Sequence, residues 1–137
     1  MKLLLALCLA ACAPGYDGVR QSLSNTEKVL SSSAQAFETY DLEHQQAIVK
    51  AYQGRGPGGV DMLAQRISQY RAKRQRVLVA FSDARSVLIK ANALLPLVET
   101  HIKQPSDLKN ILLALFSSSD TLRNEIANIW TDTLVLK

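Results

Sequence analysis

Apolar residues recur in steps of three and four along most of this chain, with polar residues between them. Such spacing puts the apolar side chains on one stripe of a helix and matches two core positions of a heptad. The pattern is strongest between residues 60 and 98, where Arg74 is the one position that is neither apolar nor tyrosine. The positions of this seam are Val60, Leu63, Ile67, Tyr70, Arg74, Val77, Phe81, Ala84, Leu88, Ala91, Leu95 and Val98.

Two weaker seams flank the strong one. The earlier seam consists of Val19, Leu23, Thr26, Leu30, Ser33, Phe37, Tyr40, His44, Ala47 and Ala51. The later seam consists of Leu108, Leu112, Leu115, Ser119, Leu122, Ile126, Ile129, Thr133 and Leu136. The three seams predict helices over about 19–53, 60–98 and 107–136.

Breaking and capping residues set the expected helix ends. Pro96 should kink or end the second helix near Leu95, because proline lacks the backbone N–H and clashes with the preceding turn. Pro105-Ser106-Asp107 is a helix start signal, with Ser106 as the expected N-cap.

The connections at 54–59 and 99–107 are short, so consecutive helices should lie antiparallel. The predicted fold is all-α: an elongated, coiled-coil-like antiparallel three-helix bundle over residues 19–137. A chain of 137 residues has room for one domain. Its 47% hydrophobic and 20% charged residues argue against disorder.

Charge divides unevenly between the first two helices. Residues 54–90 hold eight Lys or Arg against two Asp, and residues 16–53 hold three against five acidic residues. Opposite signs favour pairing of these helices. Folding about the loop brings Arg74 level with Glu38 and Asp41. We therefore expect Arg74 to pair with one of these two carboxylates or to snorkel, with Asp132 as a rival partner.

The N-terminus has the layout of an export signal. Lys2 precedes a nine-residue apolar run at 3–11, which is far short of the roughly 20 residues that span a bilayer. The run ends in Leu9-Ala10-Ala11-Cys12, which resembles the lipobox of bacterial lipoproteins.

That resemblance implies that diacylglycerol is attached to the Cys12 thiol, that signal peptidase II cuts between Ala11 and Cys12, and that the new amine is acylated, commonly with palmitate. It also implies the periplasmic face of the outer membrane, since Ala13 stands where Asp marks inner-membrane retention; the inner membrane stays an alternative. Residues 1–11 would be the signal peptide and residues 12–18 a tether.

Three other interpretations of the N-terminus stay open. One is an ordinary secretory signal cut before Pro14, one is a misplaced start site, and one makes residues 3–11 a core helix. The break at Pro14-Gly15 argues against the core helix. The two cysteines, Cys8 and Cys12, both precede the bundle, so no disulfide is expected within it.

Motifs for chemistry are weak. The glycine-rich stretch 54–59 lacks the Lys-Ser/Thr and the strand of a phosphate-binding loop, so it predicts a turn. His44 could be a metal ligand or a pH switch, but Ile48 stands where a second ligand would be, so a partly buried structural histidine is favoured. His101 is expected to be solvated. Two histidines in separate segments support no catalytic triad, and we expect no enzyme, metal or cofactor beyond the covalent lipid.

Two surface features suggest partners. The second helix carries a basic stripe beside its seam, which consists of Arg66, Lys73 and Arg76. This stripe is either a set of flanking charges or a contact for an anionic partner. Core packing is expected for Trp130 and the apolar patch around it. If the third helix packs loosely, that patch would be a docking groove for a partner helix; its other members are Ile126, Ile129, Leu134 and Leu136.

The function expected from these features is a membrane-anchored helical interaction or structural module that holds an envelope protein. The alternatives are a self-associating envelope or stress lipoprotein, a hydrolase accessory or inhibitor, and a basic bundle that binds nucleic acid. The last requires the export signal to be wrong. The net charge of +4 and pI of about 9.2 are a hint of it, and the basic stretch at 66–76 would then be the main clue.

Overall fold

The computed structural model describes residues 15–135, with side chains described through residue 131, and this part has three helices and no strand. They are α1 (Asp17–Tyr52), α2 (Pro57–Glu99) and α3 (Pro105–Val135). With 36, 43 and 31 residues, the helices are about 54, 65 and 47 Å long at 1.5 Å per residue. The predicted all-helical, three-helix fold is confirmed. α1 also includes residues 17 and 18, which were predicted to belong to the tether.

α2 is the central helix, since it packs against both α1 and α3. Its buried positions recur mainly in steps of three and four, and the buried positions of α3 recur every seven residues. Both patterns are those of a coiled coil. The two helices can be aligned by counting equal numbers of residues away from the turn that joins them. In this register the small or β-branched residues of α2 lie level with the larger residues of α3. These pairs are Val98 with Leu108, Ala91 with Leu115, Ala84 with Leu122 and Val77 with Ile129, all at most 5% exposed.

The α1 seam follows the prediction as far as His44 and then shifts by one position. Ala47 is exposed, whereas Ile48 is 1% exposed. A helix of 3.6 residues per turn drifts away from a strict seven-residue repeat, which moves the buried face by one residue over several turns. In α2 the predicted seam residue Val60 is 65% exposed. By the α2–α3 register Val135 falls level with residue 71, so the described part of α3 does not reach Val60.

The first turn is shorter than predicted, because Pro57, Gly58 and Gly59 belong to the first turn of α2. Pro57 suits this place, since its fixed φ is helical and the first helical N–H has no partner within the helix. Gly56 has a φ of 73°, in the left-handed region that glycine adopts at little cost. A Cβ on Gly59 would lie 2.6 Å from Cβ of Arg55, so this position needs glycine.

Of the two effects expected of Pro96, a kink or an end near Leu95, the end is wrong, because the helix continues through Pro96 to Glu99. The helix thus ends within one residue of the predicted bound at 98. Pro96 and Asn92 are both exposed, so the Asn92 carbonyl that Pro96 leaves without a helical donor can be solvated. The helix ends in a Schellman motif: His101 N–H donates to Val98 O at 3.1 Å and Ile102 N–H to Leu97 O at 2.8 Å.

The C′ residue of this motif is His101, whose φ of 60° makes it the one non-glycine residue in residues 15–135 with a positive φ. Its side chain is exposed, as expected.

The prediction of Ser106 as N-cap of α3 is also wrong, since the helix begins at Pro105, two residues before the predicted start at 107. The proline takes the first helical position and Gln104 precedes it. The Asp107 carboxylate accepts a hydrogen bond from Gln104 N–H at 3.2 Å, which is one half of a capping box. Proline at the first position therefore outweighs the cap preference of Ser106.

Candidate functional site

The lipobox residues Ala11 and Cys12 lie outside the described residues. The described chain starts at Gly15, and α1 begins two residues later. Attachment of lipid to Cys12 is therefore still a prediction, and the candidate sites of the described chain lie in the bundle.

A buried polar cluster lies between α1 and α2, with Asp41 at its centre. Asp41 is 8% exposed. Arg74 Nε lies 2.6 Å from Oδ2 of Asp41. Tyr70 O–H and Gln45 Nε2 each donate to Oδ1 at 2.9 Å. Arg74 therefore pairs with Asp41 and not with Glu38, which are the two partners that the sequence offered on α1.

The surroundings of Asp41 keep it ionised. Burial by itself would raise the pKa of this carboxyl, but the hydrogen bonds from Arg74, Gln45 and Tyr70 and the charge of Arg74 outweigh burial and lower it below its usual value. Burial and the neighbouring Asp41 carboxylate raise the pKa of the Tyr70 hydroxyl. Tyr70 therefore stays protonated and donates, which is the behaviour of a structural hydrogen bond.

Aromatic rings continue the cluster toward α3. His44 is 2% exposed, more deeply buried than expected. Its ring stacks on Tyr40 at 5.3 Å and 12°, and lies 4.7 Å from the ring of Tyr70. Tyr40 O–H donates to the backbone carbonyl of Ile129 at 3.1 Å. The polar seam of Arg74, Asp41 and His44 is thus one layer that reaches all three helices.

Nothing in the sequence singles out Tyr70, because a tyrosine on an apolar seam normally indicates a core residue. The spacing held a signal, however. Asp41 and Gln45 are four residues apart on one face of α1, and Tyr70 and Arg74 are four apart on α2. The turn brings these two pairs level with each other. Gln45, Tyr70 and Arg74 then surround the Asp41 carboxylate as three hydrogen-bond donors.

The basic stripe is not a free face. Arg66 and Lys73 are half-buried, and each already takes part in an interaction within the chain. Arg76 is exposed. The structure therefore gives no support to these three residues acting together as a contact for an anionic partner.

The expectation of core packing is wrong for Trp130, which is 54% exposed and meets Tyr40 edge to face at 6.3 Å. Ile129 is fully buried and Ile126 half-buried. The side chains of Leu134 and Leu136 lie outside the described range, so the docking groove suggested there stays a prediction.

A groove of about 530 Å³ lies elsewhere, between α1 and α2. The sequence did not predict this groove. Its apolar lining consists of Leu30, Ala34, Phe37, Leu78, Phe81 and Ile89. The rings of Phe37 and Phe81 are 6.0 Å apart, and the small side chains of Ala34, Ser82 and Ser86 leave room beside them.

Charged side chains border this groove. Glu38, Arg85 and Lys90 all line it, and within residues 15–135 none of them is bound in an ion pair or side-chain hydrogen bond. The groove therefore combines an apolar lining with two cations and one anion that are available to a ligand.

Within the described range, no group of three or more His, Cys, Asp or Glu side chains is placed to hold a metal ion. The described helices contain no apolar stretch of the length that a membrane-spanning helix requires. Comparison of the chain with models of protein families, with curated proteins and with solved structures finds no match.

Proposed function

We propose that this chain is a lipoprotein of the bacterial cell envelope, held on a membrane by lipid on Cys12, whose helical bundle is a protein-interaction or structural module without catalysis. The observation that carries the proposal is the sequence Leu9-Ala10-Ala11-Cys12 at the end of a nine-residue apolar run. One acyl chain binds a membrane only marginally. A triacylated cysteine supplies more than the two signals that stable anchoring needs. Ala13 after the cysteine favours the outer membrane, with its periplasmic face as the site.

The start of the bundle supports this arrangement. α1 begins at Asp17, five residues after Cys12, and five extended residues span at most about 17 Å. The end of the bundle that holds the start of α1, the end of α2 and the start of α3 would lie near the lipid headgroups. The opposite end, with the turn at 53–56, would reach roughly 55 Å further if the bundle stands upright.

The polar cluster fits a module that presents a surface. Asp41 on α1 accepts from Tyr70 and Arg74 on α2, so sliding α1 along α2 would leave a buried carboxylate and a buried hydroxyl unpaired, which is costly. A bundle with one fixed register presents the same side chains to a partner every time.

Intact mass and membrane fractionation of the full chain test the proposal, with wild type beside Cys12→Ala. The wild type should lose residues 1–11, gain acyl mass and follow membranes, whereas Cys12→Ala should keep its N-terminus and gain no lipid. Cys8→Ala is the matched control, since it removes the other cysteine within the apolar run and should still be processed. A wild type that keeps Met1, or that gains no lipid, would refute the proposal.

Two further experiments separate the modes of action. An interaction module should be monomeric by analytical ultracentrifugation and should co-purify with an envelope protein, whereas a self-associating envelope lipoprotein should grow with concentration. A nucleic-acid complex should weaken steeply with salt. The structure favours the first two modes over nucleic acid, because Arg66 and Lys73 are engaged within the bundle.

A further inference from the structure

The groove between α1 and α2 has a shape that limits what it can hold. Its lining on α2 runs from Leu78 to Lys90, which is about 18 Å of helix. Its volume of about 530 Å³ is that of a site for one small molecule. A long, thin apolar group such as an extended alkyl chain can follow the length of the groove.

The composition of the groove agrees with its shape. Six of the lining residues are apolar, and the rings of Phe37 and Phe81 form part of the lining. Sites for small molecules typically have volumes of about 300–1,000 Å³, with mainly apolar walls and a few polar groups that set orientation. The groove has both properties, and its polar groups are the charged side chains at its border.

Those charges are distributed along the groove in a way that orients a ligand. Phe37 lies against Phe81, so Glu38 falls about level with residue 80, and Lys90 lies about 15 Å further along α2. Arg85 lies between the two levels. An anionic group beside Arg85 and Lys90 would be attracted there, and the carboxylate of Glu38 disfavours the reverse orientation.

We propose that this groove binds one molecule of a single-chain anionic amphiphile, with its alkyl chain against the accessible side chains of Leu78, Phe81 and Ile89 and its head group at Arg85 and Lys90. The ligand class is a free fatty acid or another amphiphile with one chain and a negative head group. This binding goes beyond anchoring through Cys12 and does not depend on it, because every residue involved lies in the bundle.

Isothermal titration calorimetry with laurate, below its micelle concentration, tests the proposal on the full chain carrying Cys12→Ala. This variant removes the acceptor for covalent lipid, so the chain's own acyl group cannot occupy the groove. We expect saturable binding with one laurate per chain. Dodecanol, which has the same chain length and no charge, should bind about tenfold more weakly, since it forms no charge-assisted contact with Arg85 or Lys90.

Two variants examine the two halves of the site. Ser86→Phe fills the groove from an exposed position and should abolish laurate binding. Lys90→Glu should weaken it about fivefold to tenfold, because it reverses a charge at an exposed site. Lys109→Glu is the matched control, since it makes the same charge change at an exposed position on α3 outside the groove, and it should leave binding unchanged.

Several results would overturn the proposal. They are the absence of saturable binding, binding that survives Ser86→Phe in a protein with unchanged helicity, and equal losses in Lys90→Glu and Lys109→Glu. Dodecanol binding as tightly as laurate would refute the role of the basic residues. A dimer in the ultracentrifuge that dissociates on Ser86→Phe would assign the groove to a second copy of the chain. Failure of lipidation at Cys12 would leave this inference untouched, so the two proposals fail separately.

Discussion

Removal of the Asp41 carboxylate is the most informative perturbation of the bundle, because three donors converge on it. Asp41→Ala leaves the Tyr70 hydroxyl, in a side chain only 2% exposed, without its acceptor. A buried donor that loses its partner costs about 1–3 kcal/mol. Arg74 also loses its partner, but its side chain is 38% exposed and can be solvated, so this loss adds about 1 kcal/mol. The free energy of unfolding should fall by about 2–4 kcal/mol.

Asp41→Asn divides this loss into its parts. The amide oxygen at the Oδ1 position can still accept from Tyr70, so the buried hydroxyl stays satisfied. The NH2 group replaces Oδ2, so the charge and the acceptor opposite the partly exposed Arg74 are lost. We therefore expect Asp41→Asn to cost about 1 kcal/mol, half the cost of Asp41→Ala or less.

The measurement is urea unfolding followed by far-ultraviolet circular dichroism, with stability taken from the midpoint and slope of each curve. Asp120→Asn is the control, since Asp120 pairs with Arg123 at 3.2 Å on an exposed face of α3. Its cost should be no more than about 0.5 kcal/mol. If Asp41→Ala costs no more than Asp120→Asn, then the cluster does not stabilise the bundle and the reasoning is wrong.

Acid gives a second measurement on the same residue. The pKa of Asp41 is lowered in the folded state, so its contribution is fully present above its unfolded pKa of about 3.9. That contribution is lost as the pH falls through the lower folded pKa. The stability difference between wild type and Asp41→Asn should therefore be constant near neutral pH and shrink below about pH 4. A difference that persists in strong acid would contradict the assignment of the ion pair.

Three other substitutions test the packing and the turns. His101→Gly should stabilise the chain by about 0.5–1 kcal/mol, because glycine adopts the φ of 60° at this position without the strain of a side chain; an unchanged or lower melting temperature would contradict this. Ala84→Leu should cost about 1–3 kcal/mol in urea unfolding, since Ala84 is fully buried and level with Leu122 of α3; no loss would mean that the register is wrong. Glu99→Gln, which weakens the exposed contact with Arg20 at 2.6 Å, should cost less than about 1 kcal/mol and less still in high salt; a large, salt-independent loss would count against this estimate.

The sequence predicted the fold because seven-residue repeats place residues on a face without any tertiary information. The same reasoning brought Arg74 level with Asp41. It failed at Pro96 and Ser106, where local preferences pointed to helix boundaries that the packed structure does not use. Whether a proline ends a helix depends on where the freed carbonyl points, and a pattern of residue types does not contain that information.

The groove was not predictable from the same patterns. Periodicity identifies the face of α1 that carries Phe37 and the face of α2 that carries Phe81, but the space between two helices depends on how far apart their axes lie. The seams do not include the small residues Ala34, Ser82 and Ser86, so the sequence pattern predicts that these residues lie on the surface. These residues border one groove only when α1 and α2 lie side by side.

The position of this groove follows from the polar contacts beyond its two ends. Asp41 pairs with Arg74 about 6 Å along α2 from the Leu78 end of the groove, and Arg20 pairs with Glu99 about 14 Å beyond its Lys90 end. Sliding α1 along α2 until larger side chains filled the groove would break both contacts, including the buried contact of Asp41. The polar cluster therefore fixes a register in which the small side chains stay opposite each other, so the groove is kept open by residues that do not line it.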